Sequence, residues 1–336
     1  DYMNCSKIML SHGSGGNYTK SLIHDIFFKY FSNSLLLQGL DSAVFKTKEE
    51  RLAFTTDTFV VKPWEFPGGD IGRLAVCGTI NDLSVAGAKP LYLSCGFIIE
   101  EGFEIKNLEK IVKSMAETAK ETGVKIITGD TKVVEKGSAD SIYINTSGLG
   151  IVYKNYKTKR INPGDKIIIT GTIAEHGTAI ASKRYNLKIK SDIKSDCEPV
   201  NKIIEFLEPY LKNVKVMKDP TRGGLATCLN EIAEYAGLSI HIFEDEIPIR
   251  KEVEALNKLL GIDPLYLACE GRMIFVVKKE KSEEILSALL NIENCNKAKI
   301  IGSFENSKDA MVFIENCFGG IRILNSLEGD MLPRIC

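Results

Sequence analysis

The sequence predicts an α/β (α+β) fold in two domains, residues 1–154 and 161–324, followed by a short mobile tail, 325–336. Short apolar runs suited to buried strands alternate with segments of helical periodicity along most of the chain. A polar stretch, KNYKTKRINPGD, interrupts that alternation near residues 154–164 and closes on the turn signal Pro163–Gly164. After Ile321 the alternation stops, and IRILNSLEGDMLPRIC runs out to the last residue, Cys336.

In the first half, Arg51–Thr56 and Leu91–Ile99 read as buried strands, with a helix over 72–88 between them carrying Leu74, Val76, Leu83 and Val85. Leu108, Ile111, Val112, Met115 and Ala119 repeat at helical spacing, and Gly123 supplies a stop. Residues 124–128 and 141–152 are strand-like. The second half starts with a strand over 166–170 and a helix over 178–185; residues 186–199 are polar and show no pattern. Helices are expected over 199–211, 224–236 and 282–290, and strands over 238–243, 273–277 and 321–324. No fixed-period repeat occurs, which excludes solenoids and propellers.

With 336 residues, 44% hydrophobic and 26% charged, the chain has material for two ordinary cores. A net charge of -1 argues against nucleic-acid binding, which needs a basic surface to displace counterions. No apolar run approaches the ~18 residues of a membrane span, so no membrane partner is expected. The nine cysteines show no C-x-x-C pair and no export signal precedes them, so they read as reduced thiols of a cytoplasmic protein. Cys77 and Cys95 lie in apolar runs as core residues. Cys336 differs, because a buried structural role is hard to arrange for a chain end.

Candidate chemistry begins at His12–Gly13–Ser14–Gly15–Gly16, where three glycines let backbone N–H groups converge on an anion. It lacks the lysine of a Walker loop, and a plain flexible entry loop remains an equal reading. Asp41, Asp57, Asp82, Asp130 and Asp219 each follow an apolar segment. One such aspartate is ordinarily a turn or cap. Five beside Gly and Thr, with few histidines and a phosphate-friendly loop, point to magnesium with a nucleotide. Lys132, two residues after Asp130, is a candidate for phosphate oxygens. Glu270 in ACEGRM is either a general base or the partner of a cation such as Arg272. His176 reads as a turn histidine. Residues 328–336, extended, span ~30 Å, enough to carry the Cys336 sulfur into a cleft.

The strings HGSGG, TTDTFVV, FPGGDIGRLAVCGTINDLSVAGAKPLYLS, TGDTKVV, PGDKIIITG, MKDPTRGGLA and the terminal PRIC together resemble the HypE family of hydrogenase maturation factors, from about residue 8 to residue 336. That family belongs to the ATP-binding superfamily of aminoimidazole ribonucleotide synthetase, selenophosphate synthetase and thiamine-monophosphate kinase. The resemblance implies an aminoimidazole-ribonucleotide-synthetase-like fold whose N-terminal sheet pairs across a homodimer. It implies ATP under Gly13, Ser14, Gly15 and Gly16 with Asp57 and Asp130, and Mg2+ on Asp41, Asp82 and Asp219. Lys132 would orient phosphate or substrate and Glu270 would act as base. The reaction implied is ATP-dependent dehydration of a carbamoyl group on Cys336 to a thiocyanate. A HypF-like carbamoyltransferase would load the sulfur, and a HypC–HypD complex would receive the cyanide. One departure is Leu40, where relatives often carry the first of two aspartates, so only Asp41 is available there. Selenophosphate synthesis and a non-catalytic ATP-binding scaffold are the alternatives; the PRIC ending favours the dehydratase.

Overall fold

The computed structural model of the chain describes residues 16–22, 24, 25, 37, 43–186, 192–307, 309–329 and 331–336. Gly13, Ser14, Gly15 and Asp41 lie outside the described residues. After a short helix α1 (Asn17–Leu22), the first half builds a five-stranded sheet from β1 (Ala43–Lys46), β2 (Arg51–Phe59), β5 (Ala88–Glu100), β6 (Lys125–Val134) and β7 (Ile142–Val152). Their order is β1-β2-β7-β5-β6, with only β5 and β6 parallel. β7 alternates buried and half-buried along its whole length, as a mid-sheet strand with one face on the core must.

The buried face of this sheet lies under α2 (Ile71–Val85), reached through the small hairpin β3 (Glu65–Phe66) and β4 (Gly69–Asp70). All of α2 except Arg73 and Asp82 is buried, because the second half of the chain covers its far side. Asp70 caps the helix, its carboxylate accepting from Gly72 N at 2.7 Å and Arg73 N at 3.0 Å. Asp70→Ala is expected to cost about 1 kcal/mol, measurable as a lower urea midpoint with unchanged slope. The crossover from β5 to β6 is α3 (Ile105–Thr122), which turns its Ile111, Met115, Thr118 and Ala119 inward and ends on Gly123 in the left-handed region.

The second half builds a seven-stranded sheet from β8 (Lys166–Ile169), β9 (Val214–Lys218), β10 (Ile240–Phe243), β11 (Ile274–Val277), β12 (Lys299–Phe304), β13 (Val312–Glu315) and β14 (Ile321–Ile323), in the order β14-β13-β10-β12-β8-β11-β9. β11 is buried at every position, which its unbroken apolar run IFVV anticipates. Helices α4 (Glu175–Arg184), α5 (Asn201–Phe206), α6 (Gly224–Ala236), α7 (Lys251–Leu260) and α8 (Ser282–Leu290) complete it. The helix expected over 199–211 is instead α5 followed by a tighter turn at Glu208–Asn213, because Pro209 cannot donate inside a continuous helix. β1, β9, β12, β13 and α7 were not legible beforehand. β12, for example, is broken by a register shift beside Gly302. No described helix is long and apolar enough to cross a membrane.

Candidate active site

Strand periodicity puts Asp57 on the same face of β2 as Ala53, Thr55 and Phe59, toward α2. Thr55 Oγ1 donates to Asp82 Oδ2 at 2.8 Å, so the β2 face and α2 bring two predicted carboxylates together. The residue before Asp82 ties the halves of the chain. Asn81 Nδ2 donates to Glu198 O at 3.1 Å and Glu270 O at 3.0 Å, and its Oδ1 accepts from Val200 N at 2.9 Å. A buried amide this well satisfied fixes the Glu270 backbone against α2.

Asp219 and Arg222 come from the DPTRGG turn between β9 and α6. Gly223 and Gly224 both hold positive φ, +79° and +62°, and a Cβ on Gly224 would overlap Leu265 O at 2.6 Å. Only glycine fits this turn. Cys269 N donates to Pro220 O at 2.9 Å, which lays the Glu270 segment alongside. Arg222 was not singled out from the sequence, although it is the one basic residue of that motif.

Glu270 is 3% exposed, and its Oε1 has no hydrogen-bond partner. Burial, then the charges of Asp196, Asp219 and Asp57, push its carboxyl well above the ordinary range, against the pull of Arg222. Burial likewise raises Asp57, opposed by Arg222 and by the Thr58 N–H at 2.8 Å. Arg222 sits beside the Cys336 sulfur and is buried, with the Asp57, Glu270 and Asp82 carboxylates favouring its charged form against that burial. Carboxylates thus outnumber the guanidinium, and the surplus suits a hard cation bound by one or two carboxylates together with phosphate oxygens and water. Among the described residues no three or more His, Cys, Asp or Glu are already gathered as a metal cage. The described donors therefore suit a cation shared with phosphate oxygens.

The tail, read from the sequence as mobile, is docked in this structure. Val60 N donates to Cys336 O and Lys62 N to Arg334 O, each at 3.1 Å, so residues 334–336 run antiparallel to the chain just beyond β2. Arg334 Nε donates to Val60 O at 2.9 Å, its guanidinium pairs with Asp140, and it lies 5.7 Å from the Tyr143 ring centre. Leu332 and Ile335 are buried. Cys336 then lines a cavity of about 220 Å³ with Arg222, Gly223, Thr58 and Leu267. Burial first, and next the Glu270 charge, push its thiol far above the ordinary range, with Arg222 opposing.

Gly16 backs onto the tail, since a Cβ there would meet Leu327 O at 1.8 Å, and Asn17 N donates to that same oxygen at 3.3 Å. Two expected site residues are elsewhere. Asp130 shares a row with Gly96, Asn145 and Thr58, one residue out of phase with Asp57, so it faces the other side of the sheet. Lys132 Nζ pairs with it at 2.7 Å, both side chains more than two-thirds exposed. Within one chain they do not join Glu270 and Cys336. His176, read as a turn histidine, is instead fully buried in the first turn of α4, with Nε2 2.7 Å from Ile335 O. Cys77 and Cys95 are core residues as expected, and none of the described cysteines forms a disulfide.

Residues 39–152 match the AIR synthase related protein N-terminal domain family, and residues 162–315 the matching C-terminal domain family. The chain is 44% identical over 330 residues to the carbamoyl dehydratase HypE of Bradyrhizobium diazoefficiens, covering 97% of this chain and 95% of that protein. A chain of the crystal structure of a HypE–HypF complex superposes with a TM-score of 0.86 at 46% identity, covering 91% of this chain and 100% of that one. The crystal structure of HypE in complex with ATP gives 0.82 at 42% identity, covering 98% and 100%.

Proposed function

The chain belongs to the HypE family of carbamoyl dehydratases, and from that premise we propose that Cys336 is its own substrate carrier, dehydrated in the cavity beside Glu270. The protein is an ATP-dependent carbamoyl dehydratase of hydrogenase maturation. One observation carries the finer reading: half-buried Cys336 lines a cavity with Arg222, and its sulfur feels the charges of Glu270, Arg222 and Asp57.

A HypF-like carbamoyltransferase loads the sulfur, a partner supported by the solved HypE–HypF complex. Transfer to sulfur needs a thiolate, and the docked position suppresses it, so loading takes place with the tail drawn out. Once loaded, the sulfur no longer titrates and the tail docks at no ionisation cost. The carbamoyl oxygen then attacks the γ-phosphorus of ATP. An O–P bond forms, ADP departs, and one N–H proton is given up. As the second N–H proton leaves, the C–O bond breaks, phosphate is released, and S–C≡N remains. Atoms balance as carbamoyl plus ATP giving thiocyanate, ADP, hydrogen phosphate and one proton.

Arg222 is placed to stabilise charge on the transferring phosphoryl group. Glu270 takes the nitrogen proton, its raised proton affinity bringing it nearer the operating pH. Burial of the cavity limits hydrolysis of the phosphorylated intermediate. Gly13, Ser14, Gly15 and Gly16 would cradle the phosphates with Asp57, and Asp41, Asp82 and Asp219 would hold Mg2+, which when bound would offset phosphate charge. A homodimer is supported by the edge strand β6 and by exposed Phe54, Ile98, Ile126, Ile127 and Val133 on the N-terminal sheet. The cyanide passes to a HypC–HypD complex, and the free thiols fit the cytoplasm.

The test is mass spectrometry of the C-terminal peptide after incubation with the carbamoyl-loading partner and ATP. A carbamoyl adduct on Cys336, then a species lighter by one water, is expected. An adduct that never loses water, or one on another residue, contradicts the assignment.

A further inference from the structure

We propose that α4 is the seat of the tail, with His176 and Arg184 positioning Cys336 for dehydration by gripping three consecutive backbone carbonyls ahead of it. The proposal rests on the reading that Cys336 carries the reacting group.

Arg184 Nη1 donates to Pro333 O at 2.6 Å and its Nη2 to Arg334 O at 2.9 Å. His176 Nε2 reaches Ile335 O at 2.7 Å. The two side chains stand at the two ends of α4 and together hold residues 333, 334 and 335. Arg184 also donates to Lys62 O, at 3.0 Å from Nε and 2.6 Å from Nη2, so one guanidinium clamps the tail to the strand extension it lies against. An arginine fork suits several fixed carbonyls, whereas a single ammonium does not.

The imidazole's tautomer follows from its partners. A carbonyl can only accept, so Nε2 carries the hydrogen. Nδ1 then accepts from Ser195 Oγ at 2.7 Å, and that hydroxyl in turn accepts from Cys197 N at 3.0 Å. His176 is thus a buried, neutral donor of fixed orientation, aimed at the peptide group immediately before Cys336. Burial holds it uncharged. Helix and tail also touch directly: a Cβ added at Gly177 would come within 3.2 Å of Ile335 Cδ1.

These contacts read backbone and not the tail's polar side chains. They fix where residue 335 ends, and so where the sulfur of residue 336 begins. A displacement of about 1 Å at a reacting centre costs up to ~100-fold in rate.

Full-length Arg184→Gln, Arg184→Lys and His176→Ala are compared with wild type in three measurements: iodoacetamide alkylation of Cys336 without ATP, carbamoyl loading by the HypF-like partner, and single-turnover dehydration of the loaded chain. Alkylation is expected to speed up about tenfold or more, because an undocked thiol returns toward the ordinary value of about 8.5. Loading, which uses the drawn-out tail, is expected to be at least as fast as in wild type, and dehydration to slow by about tenfold or more. Arg184→Lys restores neither, which separates carbonyl gripping from a simple need for positive charge. Wild-type rates of alkylation and dehydration in Arg184→Gln would overturn the proposal, as would faster alkylation with unchanged dehydration. Should His176→Ala not fold, the half-buried Arg184 pair decides alone. If wild type itself never forms thiocyanate, the carrier reading fails, and alkylation still reports on the grip.

Discussion

Glu270→Gln is expected to leave the carbamoyl group stranded on Cys336, loaded normally but dehydrated 10²- to 10⁴-fold more slowly, roughly the range for losing a general base. The glutamine keeps the side chain's size and cannot take the nitrogen proton. In wild type the single-turnover rate is expected to rise with pH through a midpoint above the ordinary carboxylate range, because the base works only when ionised. The variant is expected to lose that limb. Stability moves the opposite way. Glu270 binds its proton more tightly folded than unfolded, so the folded state is relatively favoured at low pH and loses stability as pH rises toward the folded value. Glutamine carries no such penalty. Near neutral pH the variant is expected to be more stable than wild type, read as a higher Tm. At about pH 3, below the ordinary glutamate value, where the carboxyl is protonated in both states, the gain is expected to vanish. Thermal melts at the two pH values check the sign, and a variant less stable at neutral pH would mean that Glu270 is compensated by a cation.

The second large effect is at the sulfur. Cys336→Ala is expected to abolish both adducts on the C-terminal peptide and to bring partner-stimulated ATP turnover down to the unstimulated rate, since the phosphoryl acceptor is gone. ATP affinity, measured by calorimetry, is expected to stay within about twofold, a few tenths of a kcal/mol. The substitution leaves the tail's main-chain bonds to Val60 and Lys62 available. Partner-stimulated turnover at the wild-type rate would instead support the scaffold alternative, in which the tail only docks other proteins.

Most of the architecture was legible where the local signal was strong. The periodic helix over 105–122, the strictly alternating β7 and the apolar β11 announce themselves. The four-residue β13 and the bulged β12 do not, because their pairing comes from distant chain and not from local pattern. At the site, Asp57, Asp82, Asp219 and Glu270 were visible as carboxylates beside apolar runs, and the resemblance to the HypE family supplied Cys336 its role. Asp130 and Lys132 show the limit of reading a motif as a unit. They follow Gly129 inside β6, yet strand parity turns them to the far face from Asp57. What holds the tail in the cleft was hidden for another reason. His176 and Arg184 hold it through backbone carbonyls, which leave no trace in side-chain composition. Within the polar stretch 186–199, the described residues 192–199 looked featureless because their order is tertiary: Ser195 N donates to Pro67 O at 2.7 Å, and Asp196 Oδ1 accepts from Glu270 N at 3.2 Å.

Isotope tracking of the carbamoyl oxygen probes the chemistry at Cys336 most directly. The chain is loaded with an oxygen-18-labelled carbamoyl group, ATP is added for one turnover, and the released inorganic phosphate and the C-terminal peptide are weighed. Label in the phosphate, with unlabelled thiocyanate on Cys336, is the expected result, since the amide oxygen leaves bonded to phosphorus. Label recovered in water, with unlabelled phosphate, would mean that ATP does not act on the oxygen of the group carried by the tail.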